Sequence, residues 1–148
     1  MLMGLGTKVQ MTVEACKEFL PIISFSVTSG LEEPIFNTVR LGKAWPKRLN
    51  EGDRVRMMNS KEGQFLRIMR VQKMETGLLG DILASHAHRN HALIASDAPD
   101  KPAKLLRILR GAYGSTYTHA ERTATAIYLE DEWHYQSTSR RKASRQGE

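Results

Sequence analysis

Hydrophobic and polar residues alternate most clearly between Ile22 and Thr28, where Ile23, Phe25 and Val27 are set against Ser24 and Ser26. That period of two predicts a half-buried strand, closed by Ser29 and Gly30. Pro34 to Leu41 reads as extended chain. Arg54 to Met58 predicts a strand, Asn59 to Gly63 a hairpin connection, and Gln64 to Met74 the return strand. The return strand is apolar on both faces, with Phe65, Met69 and Val71 on one and Leu66, Ile68 and Met74 on the other.

Thr76 is placed to cap a helix carrying Leu78, Leu79, Ile82 and Leu83. Asp100 and Pro102 open a second helix, whose apolar face is Leu105, Leu106, Ile108, Leu109 and Tyr113 and whose end falls near Gly111 and Gly114. Arg107 and Arg110 lie off that face. From Thr123 to Leu129, residues Thr123, Thr125, Ile127 and Leu129 alternate with Ala124, Ala126 and Tyr128, which predicts a closing strand. Val13 to Leu20 is open between a short helix and an early strand.

The 148 residues suffice for one hydrophobic core. The division expected is a loose leader over 1–12, one domain over 13–135, and a basic, disordered tail over 136–148 with Arg140, Arg141, Lys142 and Arg145. Cys16 is the lone cysteine and has no internal disulfide partner. No apolar run is long enough to span a bilayer and the start lacks a secretory pattern, so a cytoplasmic protein without a membrane partner is expected.

Charge is unevenly spread. The formal net charge is +6, yet residues 40–73 carry ten basic side chains against three acidic ones. That segment alone is net +7, and the rest of the chain is slightly acidic. Such a stretch favours a polyanionic partner. Within it, Val39 to Leu49 is a basic loop, and Asn50 to Asp53 is a tight turn in which Gly52 can take positive φ.

These features together resemble the PUA-like superfamily and, more narrowly, its ASCH branch. The residues that carry the likeness are Gly42 and Lys43 in the basic loop, Leu49 to Val55 in the turn and strand, the Leu105 to Tyr113 helix, and Thr125 to Leu129 after it. The likeness spans roughly residues 22–130. It implies an α+β fold, a small mixed or antiparallel β-barrel with two or three flanking helices, whose cleft accommodates RNA or a modified nucleobase. Fold alone establishes neither activity.

Enzymatic ASCH members carry a Gly-x-Lys-x-x-Thr-x-Arg-like loop whose Lys and Thr, with a carboxylate, hydrolyse an acylated cytosine. Here Pro46 stands three residues after Lys43 and has no hydroxyl to offer as a nucleophile. A hydrolase on this chain would have to use Lys43 with Thr38 and Glu75 as substitutes, provided the fold brings them together.

The leading expectation is instead a nucleic-acid-binding module, with RNA favoured over duplex DNA. Arg40, Lys43, Lys47 and Arg48 surround Trp45, and Arg54 and Arg56 project to one side of their strand. Basic groups neutralise phosphates, and an exposed indole would stack an unpaired base. A Trp45 packed on the barrel with solvated charges around it is the alternative. A small basic barrel using the Trp45 loop to anchor an acidic protein is a further one.

His86, His88 and His91 form an H-x-H-x-x-H pattern, but without a Cys or carboxylate at ligand spacing they read as a surface helix or loop and not as a metal site. His119 beside Glu121 and His134 beside Glu132 also read as surface residues. No cofactor is expected.

Overall fold

The computed structural model describes residues 20–138. The leader, Cys16, most of the Val13 to Leu20 segment, and tail residues 139–148 lie outside them. Five strands form one sheet: β1 (Ile22–Phe25), β2 (Ile35–Leu41), β3 (Arg54–Asn59), β4 (Gln64–Leu78) and β5 (Thr123–Glu130). Their spatial order is β1-β3-β4-β5-β2, with β1 parallel to β3 and every other pair antiparallel. The sheet curls into a half-barrel, so its edge strands β1 and β2 come within reach of one another. Four α-helices accompany it among the described residues: α1 (Trp45–Arg48), α2 (Leu79–His86), α3 (Lys101–Tyr113) and α4 over 132–138. None of the helices there is long and apolar enough to cross a membrane.

Two apolar layers follow from the strand alternation. The concave face carries Ile23, Phe25, Phe36, Val55, Met57, Met69, Val71, Ile127 and Leu129, with Leu49 and half-buried Trp45 packed at one end. The convex face carries Val39, Ala124, Ala126 and Tyr128 beneath Leu79, Ile82 and Leu83 of α2 and Leu105 and Leu109 of α3. Strand β5 is therefore buried on both sides, because the core fills one face and helices cover the other. Each large side chain enclosed this way contributes roughly 1.5–3 kcal/mol.

Local chemistry explains most boundaries. Asp100 caps α3 by accepting from the Ala103 N–H at 3.1 Å, and Gly114 ends it at φ +86°. The Asn59 side chain accepts from the Lys61 N–H at 2.9 Å, holding the β3–β4 turn. Gly52 does take positive φ, +88°. The basic loop contains the single turn α1, started with Pro46.

Two expectations are corrected. Thr76 caps no helix; β4 runs on to Leu78, since Thr76 pairs with Thr125 of β5 and their hydroxyls meet at 3.0 Å. The faces of the return strand are not constant along its length. Register shifts between Val71 and Lys73 of β4, and opposite Met57 and Met58 of β3, bring Met74 to the concave core and leave Phe65 54% exposed. The last described helix crosses residue 135: Asp131 caps α4, its side chain accepting from the His134 N–H at 2.7 Å, and the helix continues to 138.

Candidate ligand cleft

Arg40 stands on the concave face of edge strand β2, in register with Thr125 of β5 and, beyond it, Thr76 of β4. Its Nη2 donates to the Ser24 carbonyl of β1 at 2.7 Å and its Nε to Thr38 Oγ1 at 3.2 Å. The guanidinium carbon lies 4.9 Å from the centre of the Phe25 ring. Burial lowers the Arg40 pKa, and the neighbouring Tyr113 hydroxyl partly opposes this. A guanidinium nonetheless stays charged.

Beside this group opens a cavity of about 290 Å³, walled by Phe25 and Ser24 of β1, Thr38 and Arg40 of β2, His91, and Tyr113 of α3. The His91 position is set by backbone. Its N–H donates to the Asn37 carbonyl at 3.1 Å, so residues 90 and 91 run alongside β2. Gly30, at φ +76°, packs so closely on the other side that a Cβ there would sit 1.8 Å from the His91 carbonyl oxygen.

The His91 ring is 7% exposed and meets Phe25 and Phe36 edge to face, at centroid distances of 5.2 and 5.9 Å. Its Nδ1 lies 2.9 Å from the Ser29 carbonyl, which can only accept, so Nδ1 carries the proton. Burial pushes the His91 pKa down; the Ser29 carbonyl opposes that and the Arg40 charge adds to it. The ring is thus neutral at pH 7 with an acceptor lone pair on Nε2. That nitrogen bonds none of the described residues, and no unpartnered side-chain nitrogen or oxygen among them is sealed from solvent. The cavity accordingly offers charged donors, a neutral acceptor and an aromatic wall.

The other expected site residues are distributed as follows. Lys43, Lys47 and Arg48 are exposed on and just before α1. Trp45 is half-buried against the concave core, with the Arg48 guanidinium 5.7 Å above its ring, so the packed alternative describes it; the exposed indole among the described residues is that of Trp133. Arg54 and Arg56 share the outer side of β3 and are half-buried. Arg54 lies close enough to Glu132 to help lower its pKa, so an acidic group offsets that charge. Arg67 donates instead to the Leu31 and Glu33 carbonyls at 3.0 and 3.1 Å and holds that loop.

Thr38 and Glu75 do not meet. Thr38 is 3% exposed and pairs with Ile127, on the concave face; Glu75 pairs with Ala126, on the convex one. There Glu75 Oε2 lies 2.6 Å from His86 Nε2, and His86 Nδ1 lies 2.6 Å from the Tyr128 hydroxyl. The substitute trio of Lys43, Thr38 and Glu75 is therefore not one constellation, because the strand period sends two of its members to opposite faces.

The histidines also separate: His86 is buried in that relay, His88 is exposed, and His91 lines the cavity. No three metal-ligating side chains converge among the described residues. His134 pairs with buried Glu130, at 2.5 Å, and not with Glu132. Sequence reading missed His91 as a site residue. The apolar run Ala92, Leu93, Ile94 directly after it was the available signal that this segment turns inward.

No family model matches the chain, and no curated protein matches it. Among solved structures, the crystal structure of protein EF3133 from Enterococcus faecalis V583, described by the family-model DUF984, is similar at a TM-score of 0.52 and 12% identity, over 84% of this chain and 86% of that one. At that identity the likeness concerns the fold: an α+β architecture built on a barrel-like sheet.

Proposed function

We propose that this protein is a PUA-like, ASCH-like nucleic-acid-binding module that takes single-stranded RNA, with one unstacked base in the Arg40–His91 cleft and phosphates along the exposed basic residues after β2. The observation that supports this most is the cleft itself. A charged fork, an aromatic ring and a neutral imidazole surround a space that suits a planar heterocycle. Lys43 follows Arg40 by three residues, a reach of at most about 11 Å between their backbones. A base in the cleft and its phosphate on Lys43 fit that span, with Lys47 and Arg48 extending the track.

The role assigned to Trp45 changes accordingly. With its ring packed on the core and covered by Arg48, stacking passes to the exposed Tyr113 ring in the cleft wall. Fluorescence anisotropy of labelled single-stranded RNA, duplex RNA and duplex DNA, at low and near-physiological salt, tests the reading. Micromolar or tighter binding of the single strand that survives physiological salt is expected. Loss of all three ligands there reduces the basic segment to generic charge and turns attention to an acidic protein partner.

A further inference from the structure

The cleft gathers hydrogen-bond donors around a positive charge, and none of the described residues walling it is acidic. Arg40 gives Nε to Thr38 and one Nη2 hydrogen to the Ser24 carbonyl, both neutral acceptors, and its guanidinium lies over the Phe25 ring. Its Nη1 and the rest of Nη2 are left for the neighbouring Tyr113 hydroxyl and for a ligand. No carboxylate among the described residues pairs with it. Ser26 and Ser60 stand exposed along the same cavity, and their hydroxyls bond none of the described residues.

A half-buried guanidinium without a counter-ion has lost hydration that a bound anion replaces. The cavity, about 290 Å³, lies at the small end of ligand pockets, about 300 to 1,000 Å³, and has room for a single nucleotide unit. A phosphate inside a chain carries one charge. A phosphate at a chain end carries about −1.5 to −2 and offers three oxygens, which suits a guanidinium fork flanked by hydroxyl donors. We infer that the cleft holds the end of a strand, the terminal phosphate paired with Arg40 and the base of that nucleotide beside Tyr113.

The two cations then have separate tasks. Arg40 lines the cavity and takes the terminal phosphate, whereas Lys43 is exposed outside it and takes the phosphate that links to the next nucleotide. Swapping the strand ends reverses the sugar between these anchors, so one end fits and the other does not. His91 Nε2 accepts and does not donate, which keeps the phosphate on the Arg40 side of the cleft.

This chain-end site rests on the single-stranded RNA reading, and the test keeps the two apart. Anisotropy at near-physiological salt would compare short oligomers of one sequence with a hydroxyl at both ends, a phosphate at the 5′ end, or a phosphate at the 3′ end. One phosphorylated form should bind about tenfold or more tightly than the hydroxyl-ended strand. Its methyl ester, with one charge and one free oxygen fewer, should fall back to the hydroxyl-ended level. Arg40→Gln, checked for folding by circular dichroism, should erase the gain. Tyr113→Phe keeps the ring and removes only the hydroxyl beside the fork; it should shrink the gain and serves where the first variant does not fold. A free nucleoside monophosphate has the same phosphate without the Lys43 contact, and should compete only at higher concentration than the strand.

A phosphate that changes affinity at neither end overturns the chain-end site and leaves the RNA reading standing. Equal gains at both ends, or a gain that persists in a folded Arg40→Gln, reduce the effect to general charge and overturn it too. Competition by the mononucleotide at equal concentration makes the free nucleotide the ligand, with the same consequence. Binding of none of the oligomers overturns both.

Discussion

The Nη2 of Arg40 on β2 donates to the carbonyl of Ser24 on β1 at 2.7 Å, and this bond joins the two outermost strands of the sheet. An edge strand ordinarily presents unpaired backbone groups. Here a side chain bridges the edges, so the residue that charges the cleft also holds its walls at a fixed distance. Arg40→Met should leave the Ser24 carbonyl and Thr38 hydroxyl without their donor and lower stability by about 1–3 kcal/mol. Urea denaturation measures it. A midpoint no lower than that of the exposed control Lys43→Met would show that the seam does not depend on Arg40.

Gly30 and Gly63 separate two kinds of glycine requirement. Both hold positive φ, +76° and +65°, but a Cβ on Gly63 meets open space whereas one on Gly30 lands 1.8 Å from the His91 carbonyl oxygen. Gly63→Ala should cost about 1 kcal/mol, the conformational term alone. Gly30→Ala carries the same term and must also displace backbone beneath the cleft, so its loss should exceed about 3 kcal/mol. Paired urea titrations decide; similar losses would mean that residue 91 moves aside at little cost.

Patterns confined to neighbours in the chain were legible. Ile23 and Phe25 point inward as their alternation predicts, the Asn59 turn forms, and Asp100 starts α3. What escaped was decided by pairing across the sheet. Thr76 has the chemistry of a helix cap, but its hydroxyl meets Thr125, a partner 49 positions away, and the strand continues. The cleft was half visible: Arg40 belonged to the basic segment, whereas His91 gains its tautomer from Ser29, 62 positions away, and its depth from Phe25 and Phe36. The PUA-like resemblance led to a barrel with flanking helices, and the curled sheet is of that general kind.

Lys43 and Lys47 are exposed and can act on phosphates without a role in packing. Replacing both by alanine should weaken single-stranded RNA binding and make the slope of log K against log salt shallower by about 1.4, two phosphate contacts on a single strand. Folding should be unchanged. An unaltered slope would place the phosphate track elsewhere on the protein.

Helix α4 is fastened by charge. Arg70 forms a two-pronged bridge to Glu132, at 2.7 and 2.9 Å, and lies 4.6 Å from the Tyr135 ring centre. Chiefly through that hydrogen bonding, the Glu132 pKa is lowered from 4.5 to about 2. A depressed carboxylate stabilises the fold above its unfolded pKa and loses that contribution as pH falls from about 4.5 through about 2. The Glu132 side chain is 47% exposed, so solvent screening limits the effect to about 1 kcal/mol or less. Glu132→Gln should flatten the stability curve in that window. Thermal unfolding between pH 2 and pH 5, at about 0.05 and 0.5 M salt, checks it; an equal pH slope in the variant assigns the dependence to other carboxylates.

His91 gives the opposite end of the acid range a different signature. Its folded pKa lies below the unfolded 6.5, chiefly because the neutral ring is buried. Between the two values the unfolded chain binds more protons, so stability falls as pH drops through that window and levels off below the folded pKa. Arg40 and the Tyr113 hydroxyl are the ionisable groups facing the cleft with it. Protonation also turns Nε2 from acceptor to donor. A nuclear magnetic resonance titration of the His91 ring, run beside urea denaturation from about pH 7.5 to about pH 5, should show stability falling as the pH drops towards the midpoint of the ring. Stability that stays level over that interval would assign no part of the pH dependence to His91.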